Sequence, residues 1–207
     1  MCRWITALTV FLFLPYLARA ATKLPSYEYD TDSHLMGILL EPELGYTTGG
    51  WKYSWGDSSF SGYSYGARVG VDIIGVQFGI EYMGGHWNDD QAPPNAIAMN
   101  DVGAFFGYRF PAYARVYATY FFSAQSTAKS SEYNNAYSGY EAKIGVGVTV
   151  YDPITLNLEY TFGSFNQDNG GGFDYELRSH YVGFMISVPW IIWFGPQWSP
   201  NAAPTRK

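Results

Sequence analysis

From Gly139 to Tyr151 the chain alternates with a period of two. Tyr140, Ala142, Ile144, Val146, Val148 and Val150 interleave with Glu141, Lys143, Gly145, Gly147, Thr149 and Tyr151. A β-strand sends successive side chains to opposite faces, so one face here is apolar and the other is charged, small or hydroxylated. A helix, with 3.6 residues per turn, would mix the two sets on every face. This segment is therefore a strand with two chemically different sides.

The same period runs through seven more segments, which predicts eight strands. The first, about 35–46, sets Ile38, Leu40, Leu44 and Tyr46 against Glu41, Glu43 and Gly45. The second, about 62–73, sets Tyr63, Tyr65, Ala67, Val69 and Val71 against Gly66, Arg68, Gly70 and Asp72. The third, about 75–85, sets Val76, Phe78, Ile80 and Tyr82 against Gln77, Gly79 and Glu81. The fourth, about 100–110, sets Val102, Ala104, Phe106, Tyr108 and Phe110 against Asp101, Gly103, Gly107 and Arg109. The fifth, about 113–124, sets Val116, Ala118, Tyr120 and Phe122 against Arg115, Tyr117 and Thr119. The segment from Gly139 to Tyr151 is the sixth. The seventh, about 154–164, sets Ile154, Leu156, Leu158, Tyr160 and Phe162 against Thr155, Asn157, Glu159 and Thr161. The eighth, about 178–190, sets His180, Val182, Phe184, Ile186 and Val188 against Tyr181, Gly183 and Ser187.

The predicted connections alternate in length. Tight turns fall near Ile73-Ile74, Pro111-Ala112 and Asp152-Pro153. Longer segments, rich in Gly, Ser, Asn and Asp, fall at about 47–61, 86–99, 125–138 and 165–177. Short turns at one rim and long loops at the other describe an up-and-down, eight-stranded antiparallel transmembrane β-barrel of the outer-membrane type. Pro42, mid-strand and without an N–H, predicts a bulge or a position near a rim.

Composition decides which face looks inward. A soluble barrel turns its apolar face in, towards a ligand. Here the polar set contains Glu41, Glu43, Arg68, Asp72, Glu81, Asp101, Arg109, Arg115, Glu141, Lys143 and Glu159, spaced by glycine. Paired charges and close backbones suit a narrow lumen, so these eleven residues are the predicted lumen ion-pair network. The apolar set has no Lys, Arg, Asp or Glu in the strand centres. Its aromatics gather towards strand ends, as expected of girdles at the two membrane interfaces. The chain has 19 Tyr, 7 Trp and 23 Gly, which fits that architecture better than a soluble domain.

The first residues are set apart. Met1 to Arg3 is short and basic, Trp4 to Leu14 is almost wholly apolar, and Ala18-Arg19-Ala20 has a small-x-small cleavage pattern. That predicts a secretory signal peptide over 1–20, with cleavage near Ala20. A segment at 21–34 precedes the barrel of 35–190, and a tail covers 191–207. Cleavage removes the one cysteine, Cys2, and with it any disulfide or thiol chemistry. It also lowers the basic residues from 12 to 10 against 18 acidic ones, a net charge of about −8. Such a chain is a poor nucleic-acid binder, since phosphates require a basic surface. No stretch of eighteen apolar residues follows, so strands must do the crossing.

Glu41-Pro42-Glu43-Leu44-Gly45-Tyr46, Gly66-Ala67-Arg68-Val69-Gly70, Gly103-Ala104-Phe105-Phe106-Gly107-Tyr108-Arg109-Phe110 and Gly145-Val146-Gly147-Val148 resemble segments of small OmpA/OmpX/OmpW-type outer-membrane β-barrels. The resemblance covers about 35–190 and lies in architecture more than in a unique motif. It implies a monomeric or weakly associating barrel inserted by the outer-membrane assembly machinery. Members act in adhesion or envelope stability, and some admit small solutes.

Three features of the sequence bear on chemistry. Ser179, His180 and Glu176 suggest the hydrolytic site of a lipid A-modifying enzyme, but adjacent strand residues face opposite ways and a base must reach its nucleophile. The charged lumen suggests a pore for small solutes, whereas an eight-stranded barrel has room mainly for its own side chains. Gly49-Gly50-Trp51 mimics a lipocalin G-x-W but falls after the first strand. Trp51, Tyr53, Trp55 and Phe60 are instead expected to form an aromatic loop surface that meets lipopolysaccharide or another partner. Asp57, Asp89, Asp90, Asp168 and Asp174 lack metal-ligand spacing. The expectation is no catalytic residue, no metal and no cofactor. The expected surroundings are outer-membrane lipid and lipopolysaccharide, and the expected role is structural or surface-interactive.

Overall fold

A computed structural model of the chain describes residues 36–53, 56–89, 96–110, 113–129, 134–167 and 176–194. The predicted leader, the segment 21–34, most of the tail and Trp55 lie outside them. The described residues form nine strands: β1 Met36–Tyr53, β2 Gly56–Ile73, β3 Val76–Asp89, β4 Ala96–Arg109, β5 Ala114–Lys129, β6 Asn134–Tyr151, β7 Ile154–Gln167, β8 Glu176–Ser187 and β9 Trp190–Phe194. Each pairs antiparallel with its sequence neighbour from β1 to β8, and β8 closes back on β1. β9 continues β8 in the same register along β1: Glu43 faces Ser187 and Leu40 faces Trp190. The eighth strand is thus one strand, interrupted at Val188 and Pro189, and the barrel is a closed eight-stranded meander. Closure leaves no unpaired sheet edge through the span, the condition for a β-structure in hydrocarbon.

Pro42 lies in this closing seam, with its carbonyl accepting the Val188 N–H (3.1 Å). The register on either side is continuous, so the expected bulge at Pro42 is absent. Register shifts occur elsewhere. One lies between β4 and β5 at Val102/Gly103, one between β5 and β6 at Phe121/Ala124, and one between β6 and β7 at Thr149/Tyr151.

The short turns near Ile73-Ile74 and Asp152-Pro153 match expectation, and Pro111-Ala112 lies outside the described residues, whereas the strands run well into the expected long connections. β1 and β2 pair all the way from Met36↔Ile73 to Tyr53↔Gly56. The expected loops 47–61 and 125–138 are largely strand, while the expected loops 86–99 and 165–177 are strand at their ends, over 86–89, 96–99, 165–167 and 176–177. Strands of 18 residues span about 60 Å at ~3.3 Å per residue. Tilted by about 40°, they rise well past a hydrocarbon core of about 30 Å. Backbone pairing needs no apolar side chain, so the sheet continues where the outward residues become Ser, Thr, Asn and Gln.

The outward set is the predicted one except at Tyr151, which the alternation places with Glu141 and Lys143 and which the register shift at Thr149/Tyr151 turns outward. Leu44 (60% exposed), Phe106 (61%) and Phe184 (57%) stand on the wall among Ile80, Ile144, Val146 and Ile186. The girdle aromatics Tyr46, Tyr63, Tyr82, Phe110, Tyr120, Phe122, Tyr160 and Phe162 are exposed as well. The inward set holds the charges, all of them buried except Arg109 at the short-turn rim.

Candidate functional site

The lumen is built in layers. Nearest the short-turn rim, Asp72 accepts the Gly75 N–H (2.9 Å), the Gln77 amide (2.8 Å) and Arg109 Nε (3.2 Å). Arg109 also lies over the Trp193 ring, 5.6 Å from its centroid, where β9 bends along β1.

Above it seven residues form one ionic cluster. Arg68 contacts Glu41 (3.2 Å), Glu43 (2.8 Å), Glu81 (3.2 Å) and Glu159 (2.7 Å). Arg115 grips both oxygens of Glu41 and reaches Asn157 Oδ1 (2.7 Å). Lys143 pairs with Glu81, with Glu159 at 3.2 Å and with Glu43 at 3.7 Å. The Tyr117 ring lies under the Arg68 guanidinium at 4.1 Å, and its hydroxyl donates to Glu159. Thr119 donates to Glu81. Glycine makes this possible: a Cβ at Gly145 would lie 2.3 Å from the Tyr117 ring. Glu43, Glu81 and Glu159 bring carboxylate oxygens within 4.8 Å of one another, a spacing a cation could use. Arg68 and Lys143 already supply positive charge there.

The predicted network is therefore divided. Glu41, Glu43, Arg68, Glu81, Arg115, Lys143 and Glu159 meet, while Asp72 and Arg109 form a separate pair. Asp101 and Glu141 make no ion pair with a described cation. Glu141 accepts from Ser179 (2.8 Å) and Tyr181, and Asp101 accepts the Gln125 N–H (3.1 Å). Glu141 and Lys143, two apart on the inward face of β6, form no ion pair with each other, because Lys143 reaches Glu43, Glu81 and Glu159 instead.

The long-connection half of the lumen is mostly apolar, with a few buried hydroxyls and Asp89 among the rings. Trp51, Phe60, Met83, Trp87, Ile97, Met99, Phe121, Ala124, Tyr137, Phe165, Leu177 and Tyr181 form one buried cluster. Phe60 stacks on Trp87 at 4.4 Å and 11°, and Trp51 meets Phe165 edge-on at 5.6 Å. This corrects the expected loop surface. Trp51 and Phe60 are each 1% exposed, inside the barrel and on strands. The Tyr53 side chain and Trp55 fall outside what is described. Strand parity carried the missed signal: Trp51 shares the odd register of Glu41 and Glu43, Phe60 the even register of Arg68, and Trp87 the odd register of Glu81.

Ser179 and His180 face opposite sides of the wall. Ser179 is buried against Glu141, and His180 is exposed outside. They do not form a nucleophile–base pair.

No protein-family model and no curated protein sequence matches the chain. Solved structures do. Neisserial surface protein A is 14% identical, with 74% of this chain and 97% of that chain covered and a TM-score of 0.53. Ail, the attachment invasion locus protein of Yersinia pestis, is 11% identical, covering 72% and 97% with a TM-score of 0.49. OprG of Pseudomonas aeruginosa is 10% identical, covering 77% and 98% with a TM-score of 0.42. The fold is that of the small eight-stranded outer-membrane β-barrels.

Proposed function

We propose that this protein is a non-catalytic, non-conducting barrel of a bacterial outer membrane, acting in envelope integrity or at the cell surface through its long-connection rim. The observation that carries this reading is the double filling of the lumen: an ionic cluster of seven residues in one half and an aromatic cluster in the other. Arg68, Glu81, Lys143, Trp51, Phe60 and Trp87 are all buried almost completely, so successive levels are occupied by side chains. Water-filled porins need many more strands to leave a channel. Ser179 and His180 face opposite sides of the wall, as strand parity predicts, which supports the non-catalytic reading.

Conductance across planar bilayers tests the reading: no unitary steps are expected from the folded protein. Reproducible steps that persist in an Arg68→Met variant would instead support a solute channel. Mass spectrometry of lipid A after incubation with the barrel tests the enzymatic alternative, and an unchanged mass is expected.

A further inference from the structure

The charges of the lumen do not balance. Of the eleven predicted lumen residues seven are carboxyls and four are cations, an excess of three negative charges in a closed interior. Four of the carboxyls share Arg68, Arg115 and Lys143, and Asp72 has Arg109. Asp101 and Glu141 are left over. Both are fully buried, where the ionic cluster meets the aromatic layer.

Glu141 fits because of Gly163, where a Cβ would lie 2.5 Å from its Cγ. Ser179 donates to one Glu141 oxygen at 2.8 Å, and Tyr181 donates to the other. Asp101 Oδ1 accepts the Gln125 N–H at 3.1 Å, beside the register shift of β5. Asp101 Oδ2 is buried and has no donor. The Asp101 and Glu141 carboxyls lie within hydrogen-bond reach of each other. Of the ionisable groups around them, Tyr181 faces the pair from β8 and Lys143 from β6, and Lys143 is already held by Glu43, Glu81 and Glu159. β3 sets Met83 opposite Asp101, with Glu81 one inward step further on and Tyr82 on the outer face. β5 contributes Phe121 and Ala124, and β7 contributes Gly163 and Thr161, none of which ionises.

Two carboxylates in contact, away from water and without a cation of their own, repel each other and lose their hydration. One proton relieves both costs, because a protonated carboxyl is a donor as well as an acceptor. The geometry assigns a single shared proton to this pair. Carried on Asp101 Oδ2 and donated to Glu141, it ties β4 to β6 across the bulged strand β5, directly under the aromatic layer. Glu141 keeps the negative charge, since two hydroxyls already serve it. The folded barrel then holds a proton that the unfolded chain, with carboxyls titrating near about 4, lacks at neutral pH. Stability therefore falls as pH rises through that range, and the pair acts as a proton-operated clasp where the two fillings of the lumen join. Like the proposed function, this rests on the lumen being closed.

The test is infrared spectroscopy and urea unfolding of the full chain folded into phosphatidylcholine vesicles. Asp101→Asn keeps an oxygen for Gln125 and donates an N–H to Glu141, with no proton to titrate. The C=O stretch of a protonated carboxyl is expected in wild type at neutral pH, and a component of it is expected to vanish in D101N. The folded-to-unfolded ratio of D101N, divided by that of wild type, is expected to climb about tenfold per pH unit between about pH 5.5 and 7.5, as one proton requires. If D101N does not insert, D101N/E141Q, neutral at both positions, carries the same comparison. A flat ratio, or an unchanged carboxyl band, overturns the shared proton. A band that survives in D101N and disappears in D101N/E141Q puts the proton on Glu141 alone and overturns the pair. A metal ion retained through dialysis by wild type and not by D101N puts a cation in the proton's place and overturns it too. Unitary conductance steps would overturn the closed lumen itself, whereas a flat ratio without conductance overturns only this inference.

Discussion

Among the described residues Arg68 makes the most ion pairs of any side chain. It touches four glutamates inside the wall, and its removal leaves them crowded with Lys143 and Arg115 as the remaining cations. Breaking a buried pair by deleting one partner costs ~3–5 kcal/mol. Arg68→Ala is expected to lose at least that much, read by urea unfolding in lipid vesicles. Glu141→Gln is expected to cost less than about 1 kcal/mol, because the amide oxygen still accepts from one of the Ser179 and Tyr181 hydroxyls while the NH2 donates to the other hydroxyl oxygen. Equal losses in the two variants would show that the division of the network drawn above is wrong. A different residue is strained in its backbone. Ile74 holds φ 52° in the turn before Gly75, where a β-branched side chain crowds the main chain. Ile74→Gly is expected to be neutral or to gain up to ~1 kcal/mol, since the relief of that crowding exceeds the added freedom of the unfolded chain.

Strand β5 shows how an element can change its own pattern. Arg115, Tyr117, Thr119 and Phe121 face inward, and then Ala124 and Ser126 do. The register shift between Phe121 and Ala124 inserts one residue and flips the parity. The sequence reading followed the odd set as far as Thr119, and nothing in Phe121-Phe122-Ser123-Ala124 announces the switch. Hairpin β1–β2 teaches the reverse lesson. Its alternation persists through Thr47-Thr48-Gly49-Gly50-Trp51, yet the glycine and hydroxyl content reads as loop. Paired backbones tolerate those residues when the outward face meets water. The aromatic layer that this hairpin completes is expected to matter as much as a soluble core. Phe60→Ala or Trp87→Ala is expected to cost ~3–5 kcal/mol, as for other large-to-small changes in a packed interior. Unfolding free energies near wild type in both variants would contradict the packing described for Phe60 against Trp87.

For the molecule as a whole, orientation of the two faces is the governing feature. A lipid-facing charge at mid-depth costs ~2–4 kcal/mol, so Val146→Lys is expected to destabilise the vesicle-inserted barrel by that amount. The same substitution at outward Asn100, near the long-connection rim, is expected to be nearly neutral. A soluble apolar-in barrel would also be destabilised by Val146→Lys, with Val146 at its centre, but it would carry Lys143 in bulk water. Lys143→Met, which would be nearly neutral there, is expected to cost ~3–5 kcal/mol here because it breaks buried pairs with Glu81 and Glu159, and this comparison tests the inside-out architecture without reference to any ligand.

Period-two patterning was enough to define eight strands, their inward and outward faces and the short turns, because a strand has only two sides and a bilayer demands that one be apolar. It was also enough to name the charged residues of the lumen. It did not say which would touch. Glu41 and Arg115 lie 74 positions apart, and Arg68 and Glu159 lie 91 apart. Their meeting depends on barrel closure, strand stagger and the register shifts beside β5. The same closure carries Trp51 and Phe60 inward, since a side chain in a polar stretch acquires an interior only when the opposite wall arrives.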